Sequence, residues 1–268
     1  MADRRASGLD GAHGRPGRLT DVPLTAVARA VARDVGGRTT FSTLRSQVPL
    51  SLRTTDGGLT VVASAFGPLG GDRTRLEVVV EPGARLRVGS AGAQVAQPGA
   101  TDAVSRAEVH LDVGAQAVLH WQPQPLVVSA GAEHRLDLEL RTTASATVVL
   151  AETVVLGRTA EKPGRARARW RVSCDDEPLL AADLDVGAGA PRGWDGPAVT
   201  GGARVLVTAL VTGPVLPADG PLPGGGEVLR LAGPGVLLCW LGHDTVAAAR
   251  VLRAFLDRVP AEAATPVR

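Results

Sequence analysis

Tyrosine is absent from these 268 residues, lysine and methionine occur once each, cysteine twice, and all aromatics together make up 3%. Each scarcity removes a class of answers. Without tyrosine there is no Tyr-rich recognition surface, and the core must be filled by Val, Leu and Ala, in number more than in size. Cys174 and Cys239 are too far apart in sequence for a disulfide framework or a zinc ribbon. They read as ordinary thiols of a reducing compartment. No eighteen apolar residues follow one another, so no membrane span is expected. Met1 to Arg5 leads into Gly, Asp and His instead of an apolar run, so no secretory leader is expected. The expected location is the cytoplasm. Nor is there a large charge of either sign: 29 basic residues, all but Lys162 being Arg, face 27 acidic ones for a net charge of +2. That balance argues against nucleic acid as a partner.

The usual signatures of catalysis are missing as well. There is no Gly-x-Ser-x-Gly elbow, and no His neighbours Cys174 to activate it. Gly67-Pro68-Leu69-Gly70-Gly71-Asp72-Arg73 is rich in glycine but lacks the Lys-Ser/Thr of a phosphate loop. It reads as a tight turn that aims Asp72. Gly187 to Gly189 is likewise a loop. The five His, at positions 13, 110, 120, 134 and 243, include no pair at helical metal-ligand spacing. His110 and His120, on successive β runs, are the metal candidates if the two runs form a hairpin. The other reading of each is a structural strand histidine.

What the chain does have is length and alternation. At this size a chain buries roughly three quarters of its unfolded surface, so no disulfide or metal is needed to hold the core. Residues 1 to about 20 offer almost no apolar anchor and read as a flexible tail. The rest, 21–268, reads as one β-rich domain. Arg75 to Val80 and Arg85 to Val88 are short period-two runs joined by Glu81-Pro82-Gly83-Ala84, in which Pro presets φ and Gly accepts positive φ. The same device joins Val109–Val113 to Ala117–Trp121 and Leu126–Val128 to Arg135–Leu140. Ala146–Leu150 and Thr153–Leu156 add two more apolar stretches. The Gly-Ala turns at Gly83, Gly99, Gly114 and Gly131 recur at a near-constant interval, about two short strands each. The expected fold is mainly β, with stacked sheets whose strands coil in layers. An ordinary β-meander is the alternative.

Arg165 to Val172 alternates without a break, placing Arg165, Arg167, Arg169 and Arg171 on one face and Ala, Ala, Trp and Val on the other. The Arg face is either solvated, which discourages edge pairing, or meets an acidic partner. Thr25 to Asp34 fits both helix and strand. Gly213 to Gly226 is a Gly/Pro loop. A helix is expected over 244–259, capped by Asp244, with Val246, Ala249, Leu252 and Phe255 as its apolar stripe and Pro260 as its stop. Glu152 stands inside Leu150 to Leu156, where a carboxylate must be paired, hydrated or at an edge. Arg158 is its nearest partner in sequence. Asp175-Asp176-Glu177 reads as a solvated turn.

Several of these stretches resemble the urease accessory protein D family, called H in some organisms. Gly67 to Arg73 is similar to the family's Gly-Gly-Asp segment. Gly83-Ala84-Arg85-Leu86 with Ser90-Ala91-Gly92-Ala93 resembles its next element, and Trp121-Gln122-Pro123-Gln124-Pro125 its Trp-Leu-Pro-Gln-Glu type segment. Val155-Leu156-Gly157-Arg158, with Glu161 and Gly164, resembles its Leu-Gly-Arg element. The resemblance spans roughly residues 24 to 258, in matching order. It departs at Pro125, where many members carry an acid, and at the proline-rich approach to the Gly-Gly-Asp turn, reduced here to Phe66-Gly67-Pro68. It implies a non-catalytic β scaffold with few helices, and it resolves Thr25 to Asp34 as a strand. By the same resemblance the scaffold binds apo-urease, recruits accessory protein F and, through F, the GTPase accessory protein G, and carries nickel along a water-filled interior route. No tightly bound cofactor is implied, and any nickel contact is transient. Asp72, Glu152, Arg158 and Glu161 are then candidates for partner contact or the polar interior. The Arg165–Arg171 face and the C-terminal helix are candidate docking surfaces. The competing classes are a carbohydrate-acting hydrolase, for which paired acids and aromatic platforms are lacking, and a structural β protein.

Overall fold

The computed structural model describes residues 22–55, 58–100 and 103–259; the segment 1–20 and Pro260 lie outside them. Two hairpins open the fold: β1 (Thr25–Val35) with β2 (Arg38–Arg45), and β3 (Leu50–Thr55) with β4 (Gly58–Ala63). The segment Thr25 to Asp34 is thus a strand. From there the chain coils between two sheets. It runs along β5 (Arg73–Val80), turns through Glu81 to Ala84, and continues as β6 (Arg85–Ser90) and β7 (Gln94–Ala96). The next coil is β8 (Ser105–Val113), β9 (Val118–Gln122) and β10 (Leu126–Val128). The third is β11 (Glu133–Thr142) and β12 (Thr147–Leu156), and β13 (Arg165–Cys174) begins a fourth. The two apolar stretches around Glu152 are therefore one uninterrupted strand.

Within each sheet the coiled strands lie parallel. β1, β5, β8, β11 and β13 are hydrogen-bonded in that order, as are β4, β6, β9 and β12. The Gly-Ala turns mark half-coils: Gly83 and Gly114 sit at the corner leaving the first sheet, Gly99 and Gly131 on the return from the second. Successive turns therefore enclose either two short strands of the second sheet (β6 with β7, β9 with β10) or one long strand of the first (β8), and the parallel stacking selects layered coiling over a meander. Register stacks like on like. Ala30, Val78, Leu111, Leu140 and Val172 form one inward row, and Leu86, Leu119 and Val148 another. Both rows are buried, so each coil covers the apolar edge of the one before it.

Antiparallel strands close the far end. β14 (Glu177–Gly187) pairs with β13 through a two-residue turn in which Asp175 and Asp176 both have positive φ (51° and 64°). That geometry is the type I′ turn whose twist matches a hairpin. β15 (Val205–Thr212), β16 (Gly220–Pro221), β17 (Glu227–Arg230) and β18 (Gly235–Gly242) extend the second sheet beyond β12. The Gly213–Gly226 loop thus contains one short paired segment. α1 (Thr245–Leu256) packs on the outer face of the second sheet, capped by Asp244, which accepts from Val246 N and Ala247 N. Its buried face is Ala248, Val251, Leu252 and Phe255, and Val246 is 54% exposed. The expected stripe was thus correct at Leu252 and Phe255 and misphased in the first turn, where a run of alanines gives the periodicity nothing to register.

Candidate functional site

The site begins with a defect in the coil. β12 is continuous, but the strand beside it is broken into β9 and β10, which pair with Thr147–Leu150 and with Val154–Leu156 respectively. Between them stand Pro123 and Pro125, which have no N–H to give a ladder. β6 and β7 break at the same level. On that side Ala151, Glu152 and Thr153 have no ladder partner, and the alternation that buries Leu150 and Val154 points Glu152 inward with them. The interior core divides here: Leu150 and Trp121 belong to the larger cluster, Val154 and Leu206 to a smaller one. A cavity of about 100 Å³ fills the gap, bordered by Glu108, Glu152, His134, Gln94 and Gln124, with the hydroxyls of Thr74, Ser90 and Thr153, among apolar side chains.

Glu152 is 9% exposed. Its partner is Trp170, whose Nε1 donates to Oε2 at 3.0 Å. Arg158 is not its partner, because nearness in sequence is lost where the coil turns and the opposing sheet supplies the neighbour. Trp121 Nε1 also approaches the carboxylate and favours its charged form, but it lies outside ordinary hydrogen-bond geometry and is buried without a partner. Burial outweighs both indoles and lifts the carboxyl to about 7. Glu152 is therefore a buried acid that exchanges its proton near neutrality. It also borders a second, more open cleft of about 220 Å³ with Trp170, Thr208, Cys239 and Asp183. Glu152, Thr208, Cys239 and Glu227 stand in register across β12, β15, β18 and β17, a polar row running from the interior to the exposed Glu227.

On the opposite side of the cavity stands His134, 2% exposed. Its Nδ1 lies 2.9 Å from Ser105 Oγ, which donates to Glu133 O at 3.3 Å. Burial lowers its pKa to about 4, so the ring is neutral at physiological pH. His134 also borders a pocket of about 30 Å³ shared with Pro68 and Asp72, at whose rim Phe66 is 89% exposed. Asp72 is 3% exposed, with its oxygens accepting from Leu24 N and Leu69 N, both at 2.8 Å. The glycine-rich turn does aim this carboxylate, and its aim is inward, tying the start of β1 to the turn.

The remaining candidates lie elsewhere. Arg158 and Glu161 form a local pair: Glu161 accepts from Arg158 N, Nε and Nη2, and those bonds hold its carboxyl well below the usual range. Gly157, at φ +81°, makes this turn possible, since a Cβ there would meet Arg204 Nη2 at 2.5 Å and Lys162 O at 2.7 Å. The Arg face of β13 is neither bare nor simply solvated. Arg165 and Arg167 lie between Glu133 and Asp185, and Arg171 pairs with Asp183 at 2.9 Å. Arg169 is exposed and, among the described residues, makes no ion pair within salt-bridge distance, though its charge joins that of Arg171 in holding the Asp183 carboxyl down.

Comparison with known proteins decides the family. The chain matches the family model described as UreD urease accessory protein over residues 25–266. It is 37% identical over 244 residues to the urease accessory protein UreD of Streptomyces avermitilis, covering 87% of this chain and 97% of that one. It is 39% identical over 230 residues to urease accessory protein UreD 2 of Saccharopolyspora erythraea, covering 81% and 80%. The chain belongs to the UreD family. Its relatives are named as accessory proteins, not enzymes. Among the described residues, no helix is long and apolar enough to cross a membrane.

In this UreD-family chain the structure does not bring together the two histidines singled out from sequence. β8 and β9 do not form a hairpin; they meet at a corner between the sheets. His110 faces outward beside Glu108 and Glu139, and His120 borders a groove on the other sheet near the end of α1. Among the described residues no three His, Cys, Asp or Glu side chains are grouped to hold a metal ion. The histidine that does face the interior, His134, was legible in one way only. It shares its phase with Leu136, Leu138 and Leu140, so the alternation that buries those leucines buries it too.

Proposed function

We propose that this UreD-family chain is a urease maturation factor that acts as a cytoplasmic scaffold, binding apo-urease and recruiting accessory protein F and, through F, the GTPase accessory protein G. Nickel is its cargo, passing through the interior to the urease active site. The observation that carries this reading is Glu152, a buried carboxylate bordering both the cavity between the sheets and the cleft that opens past Thr208 and Cys239. A core that only needed to be stable would place an apolar residue there, because burying a carboxylate costs more than the Trp170 N–H returns. Carboxylate, imidazole and thiol are also the donors that a borderline divalent ion accepts. The Arg face of β13 and the exposed face of α1 are the docking surfaces this scaffold would offer.

The test is reconstitution of urease activation from purified apo-urease, F, G and Ni²⁺, with and without this chain. Activation should require the chain, and Glu152→Ala should lower it several-fold while the isolated variant unfolds at the wild-type denaturant midpoint or above. Full activation without the chain refutes the reading. Unfolding of the variant assigns Glu152 to the architecture instead.

A further inference from the structure

We infer that Arg73 and Arg106, side by side on the outer face of the first sheet, are a two-guanidinium clamp for neighbouring carboxylates on an acidic segment of a partner protein. The clamp follows from register and charge and stands independently of the functional reading above. The outward phase of β5, β8, β11 and β13 sets Arg73, Arg106, Arg135 and Arg167 directly opposite one another in consecutive strands. Such strands are about 4.8 Å apart, and like charges placed opposite each other destabilise a sheet. Two of the four are relieved within the chain. Arg135 holds Asp137 through bonds of 2.7 and 2.9 Å, and Arg167 reaches Glu133 at 3.0 Å and Asp185 at 3.6 Å. Glu108, two positions along β8 from Arg106, is taken by Arg75, whose Nε donates to it at 2.7 Å. Arg73 and Arg106 are exposed and, among the described residues, make no ion pair.

Stacking the second pair without counter-charge does nothing for the core beneath it, so its use lies in what it can receive. A guanidinium fork matches a carboxylate through two parallel hydrogen bonds, and two adjacent forks match an acidic stretch of chain. A phosphate backbone fits less well, because Glu108, Glu133, Asp137 and Asp185 stand among the arginines and would face it. The chain's own segment 1–20 is not complementary either, carrying Arg4, Arg5, Arg15 and Arg18 against Asp3 and Asp10. Beside the clamp Val27, in register with Arg75, is 48% exposed and offers an apolar contact to the same partner.

The experiment uses the full chain labelled with ¹⁵N-arginine and follows the Nε–H signals while a polyglutamate peptide is added at low salt. Arg73 and Arg106 should shift at lower peptide concentration than Arg33 and Arg38, which are exposed at the β1–β2 turn, and high salt should abolish the shift. Replacing both residues, Arg73→Gln with Arg106→Gln, should weaken peptide binding by about fivefold. The same double variant should unfold at the wild-type denaturant midpoint or above it, since stacked like charge has been removed. Equal shifts at all exposed arginines, wild-type affinity in the double variant, a lower midpoint, or a stronger response to a single-stranded oligonucleotide of equal charge would each overturn the inference. None of these outcomes bears on the functional reading, which is decided by urease activation with the chain omitted.

Discussion

Replacing Glu152 by Gln isolates the energetic consequence of burying an ionisable group between the sheets. The Glu152 carboxyl holds its proton to about pH 7 in the fold against an ordinary value of 4.5. Below pH 4.5 it is protonated in both folded and unfolded chains and costs nothing. As pH rises from 4.5 to 7 the unfolded chain releases the proton while the fold retains it, so stability is lost at up to about 1.4 kcal/mol per pH unit. Above pH 7 the loss levels off at about 3 kcal/mol. Gln keeps an oxygen for the Trp170 N–H and has no charge to bury. The stability difference between Glu152→Gln and wild type, measured by urea unfolding at pH 4, 5, 6, 7 and 8, should grow by about 3 kcal/mol in favour of the variant between pH 4.5 and 7. Only the difference is diagnostic. His134, lowered from 6.5 to about 4, contributes stability present above pH 6.5 and lost as pH falls toward 4, so in wild type the two groups oppose each other. A difference that stays constant with pH would refute the assignment of Glu152 as a buried acid.

Two further substitutions test the local arguments. Asp244→Ala removes the acceptor for Val246 N and Ala247 N and should cost about 1 kcal/mol in denaturant unfolding; no change would mean that the packing of Phe255 alone holds the helix. Gly157→Ala places a Cβ against Arg204 and Lys162 at φ +81° and should cost about 1–3 kcal/mol. A wild-type melting temperature would show that this turn relaxes freely.

The coil was legible because its signals are local and repeated. Period two fixed the strands, and the Gly-Ala turns gave the half-coil interval without revealing that alternate turns belong to different corners. Asp244 marked the start of α1, but Ala247, Ala248 and Ala249 carried no phase. What sequence could not reach was who faces whom. Trp170 reaches Glu152 from the opposite sheet, while Arg158, six positions along, has already turned outward to Glu161. His110 and His120 lie on consecutive strands and yet on outer faces of different sheets, because the connection between those strands is a corner. In the sequence the Trp121–Pro125 segment carries only a family resemblance. Its physical effect, opening the ladder beside Glu152, depends on β12 passing unbroken at the same level.

The antiparallel strands at both ends of the parallel stack have a consequence for the length of the molecule. A coil of parallel strands is extensible in principle, since each layer offers the next a complete edge. Here the β1–β2 and β3–β4 hairpins stop that growth on one side, and β14 with β15–β18 stops it on the other. The thickness of the stack is thereby a fixed dimension. Adding or deleting one layer would shift everything beyond it by about 4.8 Å, more than the reach of a hydrogen bond, so the layer count works as a ruler between the two ends.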